Sequence, residues 1–125
     1  MNATALELVR SGFEAASRGD VDSISALLSP DVRWHGAGDD EGGCRDRDQA
    51  LRWMREAIER GVRVELLDAR ELPGDRVVLV LQRRSAPGEE PPPPHGQIVT
   101  FRDGLIADMA VYPTADEAAA AAGES

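Results

Sequence analysis

Apolar residues recur at Leu6, Val9, Phe13 and Ala16, the spacing that gathers them on one face of a helix. The pattern predicts a helix over residues 4–18, ended by Gly19. Asp20 can cap a second short helix with the inner stripe Val21, Ile24, Leu27 and Leu28, stopped at Ser29-Pro30. From Asp31 to His35 the period changes to two. Val32 and Trp34 fall on one face and Arg33 and His35 on the other, which predicts a short strand. Gly36 to Gly43 is a glycine-rich acidic loop, and Asp46 with Gln49 three residues on resembles a capping box. The helix it opens carries Ala50, Leu51, Trp53, Met54, Ala57 and Ile58 before Gly61 ends it.

The rest of the chain reads as sheet. A long strand over Val62–Leu72 is followed by the turn Pro73-Gly74-Asp75 and a strand over Arg76–Arg84. Ala86 to Pro94 contains four consecutive prolines, which cannot donate ladder hydrogen bonds, so it is expected as an exposed hairpin connection. Gly96–Phe101 and Leu105–Tyr112 form a hairpin around Arg102-Asp103-Gly104. The Ala-rich stretch Ala115–Ala122 reads either as a short terminal helix or as a frayed end. Helices followed by a sheet meander give an α+β fold, expected as a single domain over residues 1–125.

Composition narrows the partners. With 125 residues, 42% hydrophobic and 30% charged, the chain is long enough to bury one core under a solvated surface. A net charge of −9 disfavours both nucleic acid and an anionic membrane surface. Every basic side chain other than histidine is Arg, a usage that points to a GC-rich bacterial genome and leaves no lysine for Schiff-base chemistry. No apolar run reaches the roughly 20 residues that span a bilayer. The opening residues lack the basic and apolar regions of a signal peptide, so the cytoplasm is the expected compartment. Cys44 is the only cysteine, and His35 and His95 have no ligand-like spacing, so neither a metal site nor another cofactor is expected.

Four strings carry a resemblance. These are Phe13-Glu14-Ala15-Ala16-Ser17-Arg18-Gly19-Asp20, Leu27-Leu28-Ser29-Pro30-Asp31-Val32-Arg33-Trp34, Val99-Thr100-Phe101-Arg102-Asp103-Gly104-Leu105-Ile106, and Val111-Tyr112 with its Ala-rich tail. In order and spacing they resemble the nuclear transport factor 2-like superfamily, especially its SnoaL-like bacterial members. The resemblance implies a cone: three helices packed on a strongly curved mixed sheet that encloses a pocket, often paired as a homodimer. A dimer also follows if Val78 and Val80 on the outer sheet face need covering. Because this fold hosts cyclases, isomerases, hydrolases and binding proteins, it does not by itself settle the reaction.

Mapped on the ketosteroid isomerase template, the general base falls on Gly36, the tyrosine donor on Gly12 and the acidic donor on Gln97. The acidic residue that SnoaL-like cyclases carry on the last strand falls near Val111. Three of the four positions carry no polar side chain. Gln97 alternates with Val99 and Phe101, and its amide can donate to a ligand carbonyl. An outward glutamine at a strand start is the other reading. His35 suits proton transfer, but alternation turns it away from Trp34 unless Gly36 marks a bulge. Asp39, Asp40 and Glu41 either carry a carboxylate over the cavity mouth or form a solvated loop. Asp40 therefore joins Gln97 and His35 as a catalytic candidate. Arg83 shares the parity of Val77, Leu79 and Leu81 and could clamp an acid at the rim. Arg45 beside Cys44 could lower the thiol pKa. Trp34, Trp53, Val99 and Met109 complete the expected pocket wall, with plain core packing as the alternative.

Two functions follow. One is a small-molecule-binding domain, or an enzyme, acting on a small apolar compound with a carbonyl or acid group. The other is a non-catalytic dimerisation or interaction module with a closed cavity.

Overall fold

The computed structural model describes residues 4–36, 43–84, 88–90 and 93–123. Helix α1 spans Ala5–Ser17, α2 Val21–Ser25, strand β1 Leu28–Gly36, α3 Arg47–Glu59, β2 Arg63–Leu72, β3 Arg76–Arg84, β4 His95–Arg102, β5 Leu105–Tyr112 and α4 Ala115–Ala121. The strands form one curved sheet in the order β1-β5-β4-β3-β2. β1 runs parallel to β5 and every other pair is antiparallel, so the sheet is mixed. The fold is the expected α+β cone, with α1, α2 and α3 packed on the sheet.

Helix ends follow their local chemistry. Thr4 and Glu7 make a reciprocal capping box at the start of α1, with bonds of 3.0 and 3.1 Å. Asp46 caps α3 by accepting from the Gln49 N–H at 2.9 Å, while the Gln49 side chain reaches back one residue further, to the Arg45 N–H. α1 and α3 end alike. Gly19 and Gly61 take positive φ, and the next residue donates back to Ala15 and Ala57 respectively. At α3 this turn sends the chain straight into β2.

α2 is shorter than its apolar stripe suggests. It stops at Ser25, and Leu28 belongs to β1. The Ile106 N–H donates to the Leu27 carbonyl at 2.8 Å and Leu28 pairs with Ile106, so β5 captures the chain before a second helical turn forms. Pro30 is tolerated because β1 is an edge strand whose register shifts between Leu28 and Arg33.

The core lies between the three helices and the concave sheet face. Leu28, Val32, Val77 and Leu79 are fully buried there, each worth about 1.5–3 kcal/mol of burial. On the convex face the Ala-rich end forms α4, capped by Thr114, and packs Ala118 against Val78 and Ile98. This alters the premise of the dimer expectation. Val78 is covered by the chain's own helix, and Val80 is half-buried. Gly96 permits the contact, since a Cβ there would lie 2.3 Å from the Ala118 Cβ. Among the described residues no helix is long and apolar enough to cross a membrane.

Candidate functional site

Strand parity builds a wall. Gln97 and Val99 on β4, Leu79 and Leu81 on β3, Met109 and Val111 on β5, and Trp34 on β1 all face the helices. Phe13 of α1 and Met54, Ala57 and Ile58 of α3 oppose them. Between the layers lies a cavity of about 750 Å3 with a predominantly apolar lining. Bulges steer this wall. The register of β2 shifts between Leu66 and Asp68, so inward positions pass from Val64 and Leu66 to Ala69 and leave Leu67 half-exposed. A second shift, between β4 and β5, moves the inward positions from Ile106 to Met109.

Gln97 is buried, with 6% of its surface exposed, and it lines the cavity. Its ladder neighbours are Leu79 on one side and Val111 on the other, neither able to satisfy an amide. Among the described residues its side chain makes no hydrogen bond, although no fully sealed side-chain nitrogen or oxygen goes unpaired. Its residual accessible surface therefore opens onto the cavity.

The template positions gather at one level of the sheet. Gly36 pairs with Val111, and Val111 with Gln97, while Gly12 faces the same cavity from α1. Of these four, Gln97 alone carries a polar side chain.

Trp34, Gln97, Val99 and Met109 stand where parity put them. Trp53 does not: it is 49% exposed and meets the Trp34 ring from outside the cavity, edge-on, at 5.8 Å. The apolar face of α3 is narrower than expected, with Met54, Ala57 and Ile58 turned inward. Arg83 is exposed and outside the lining, whereas Arg84 is in it. Past Leu81, β3 keeps only β2 as a partner, and the strong twist of a two-stranded ribbon breaks the alternation.

His35 also lies outside the cavity. Its Nδ1 is 3.0 Å from the Gly36 carbonyl and its Nε2 3.0 Å from Asp108 Oδ1, so both ring nitrogens face acceptors. Burial opposes its charge, yet the Gly36 carbonyl and the Asp108 carboxylate together hold its pKa above the usual histidine value. Cys44 is buried, and its backbone exchanges two hydrogen bonds with Trp34. Burial, then the Asp46 charge, push its thiol pKa up, the reverse of the effect expected from Arg45. Asp39, Asp40 and Glu41 lie outside the described residues. No group of three or more His, Cys, Asp or Glu side chains comes together as a metal set among the described residues.

His95 is the polar residue that sequence reasoning missed. It opens β4, two residues before Gln97, and lines the cavity half-buried. The signal was that same alternation, hidden because the proline stretch read as loop up to the strand. Burial, then the Arg83 cation, push its pKa down, so the ring is neutral near pH 7.

Among curated proteins nothing matches the chain significantly. Solved structures do match its fold. A nuclear transport factor 2-like protein from Burkholderia pseudomallei aligns with TM-score 0.72 and 20% identity, over 96% of this chain and 98% of that one. Another from Cytophaga hutchinsonii aligns with TM-score 0.72 and 13% identity, over 90% and 91%. A Sinorhizobium meliloti protein described as a candidate polyketide cyclase aligns with TM-score 0.68 and 24% identity, over 83% and 92%. The sequence signature of the SnoaL-like domain matches residues 9–109. The chain belongs to the SnoaL-like domain family, and its fold is that of nuclear transport factor 2-like proteins.

Proposed function

We propose that this SnoaL-like domain binds a small, largely apolar molecule carrying a carbonyl or carboxyl oxygen, and that the Gln97 amide holds that oxygen. The observation that carries the reading is Gln97 itself, a buried amide on an apolar cavity wall with no hydrogen bond to any described residue. A ligand oxygen accepting from that amide adds a hydrogen bond worth about 0.5–1.5 kcal/mol. Trp34, Val99 and Met109 supply aromatic, aliphatic and thioether surface for a flat apolar body.

A cavity of about 750 Å3 supports this reading over a closed interaction module. The kinship with a candidate polyketide cyclase is in keeping with a carbonyl-bearing ligand, although at 24% identity it speaks for the fold alone. Gly12, Gly36 and Val111 supply no proton donor or acceptor at the template positions, so chemistry of those kinds would have to use other residues. The test is titration of the 15N-labelled protein with small aromatic ketones and acids. Binding should move the Gln97 side-chain NH2 signals first. A panel of such compounds leaving those signals in place would contradict the proposal.

A further inference from the structure

Ionisable side chains reach the cavity at Glu14, Arg63, Glu65, Arg84 and His95. Glu14 is engaged by Arg18 at 3.1 Å and Glu65 by Arg84 at 3.2 Å. Arginine does not act as a base in the physiological range, which sets aside Arg63 and Arg84. His95 is therefore the group among the described residues that lines the cavity and can exchange a proton near neutrality. It faces Leu81 across the β3–β4 ladder and makes no hydrogen bond to a described residue. His35, the other imidazole, is outside the cavity with both nitrogens engaged.

His95 and Gln97 leave β4 on the same side, with Cα atoms about 7 Å apart along the strand. We propose that they form a proton-transfer pair acting on a small ketone with an acidic hydrogen beside its carbonyl, His95 as general base and Gln97 as donor to the oxygen. The inference rests on the proposed binding role of Gln97. An imidazole nitrogen takes the proton from the α-carbon. The C–H electron pair becomes the C=C bond of the enolate, and the carbonyl π pair moves onto oxygen, where the Gln97 N–H group donates to it. Return of the proton from the imidazolium to carbon regenerates the ketone and the neutral ring, so the cycle balances within substrate and protein. A depressed histidine pKa suits the task, because the base stays unprotonated at pH 7.

The test is hydrogen–deuterium exchange at the α-carbon of 2-tetralone in D2O, followed by proton NMR, with binding measured on the same samples from protein signals. Wild type should accelerate exchange by about 10²-fold or more over buffer. His95→Gln should bind the ketone and exchange it at the buffer rate. Arg83→Gln, a change at an exposed residue, removes the neighbouring cation and should move the pH profile of exchange upward, in step with the His95 ring titration seen by NMR. Binding without accelerated exchange overturns this inference and leaves the binding role of Gln97 standing. Exchange undiminished in His95→Gln assigns the proton to another group. Absence of binding by 2-tetralone and by the panel above overturns both readings.

Discussion

Trp34 and Trp53 meet edge-on, ring centroids 5.8 Å apart with planes at 61°, one lining the cavity and the other nearly half exposed. The two therefore report on different surroundings. With Trp53→Phe, the remaining Trp34 emission should resist iodide, and with Trp34→Phe the Trp53 emission should be quenched readily. A 2-tetralone titration should change the first and hardly affect the second. Equal quenching of both would mean that the facing of β1 is inverted.

His35 joins β1 to Asp108 of β5 through a bond of 3.0 Å. Its folded pKa is raised, so its stabilisation is fully present below the unfolded value of about 6.5 and is lost as pH rises through the folded pKa. The contribution is on the order of 0.5–1 kcal/mol, since Asp108 is partly exposed and solvent screens the pair. Melting temperatures measured upward from pH 6 should decline over that window, and Asp108→Asn should flatten the decline. An identical slope in wild type and variant would show that the pair does not titrate as described.

Gly96 lies directly beneath α4, with the Thr114 carbonyl 3.1 Å and the Ala118 Cβ 2.3 Å from where its own Cβ would stand. Backbone on one side and a short side chain on the other leave little room to yield. Gly96→Ala should destabilise the fold by roughly 1–3 kcal/mol through this overlap. Hydrogen exchange should show α4 opening before the rest. A variant as stable as wild type would place α4 elsewhere.

Much of this architecture can be read from residues. The helix caps at Asp20 and Asp46, the glycine ends at Gly19 and Gly61, and the period-two facing of Trp34, Gln97 and Val99 all follow from local chemistry. What escapes the sequence is set by partners far along the chain. Leu28 looks like the end of a helix until Ile106 pairs with it. Arg83 looks inward until β3 outruns β4. Val78 looks uncovered until α4 returns across the sheet. The site divides in the same way. Gln97 was visible from alternation, but that His95 adjoins it, and that Trp53 lies outside, depended on where β4 begins and how α3 is turned.

Gln97→Leu decides whether the buried amide holds the ligand oxygen. Leucine is of similar size and suits an apolar wall, so the fold should lose nothing and could gain a little from burying one amide fewer. A ligand ketone held by the amide should lose about 0.5–1.5 kcal/mol of binding. The measurement is the dissociation constant of 2-tetralone, by calorimetry or NMR titration, paired with the melting temperature of the same preparations. Binding should weaken by about two- to thirteen-fold, with an unchanged or slightly raised melting temperature. Unaltered affinity, or a variant that unfolds because Gln97 supports the fold, would contradict it.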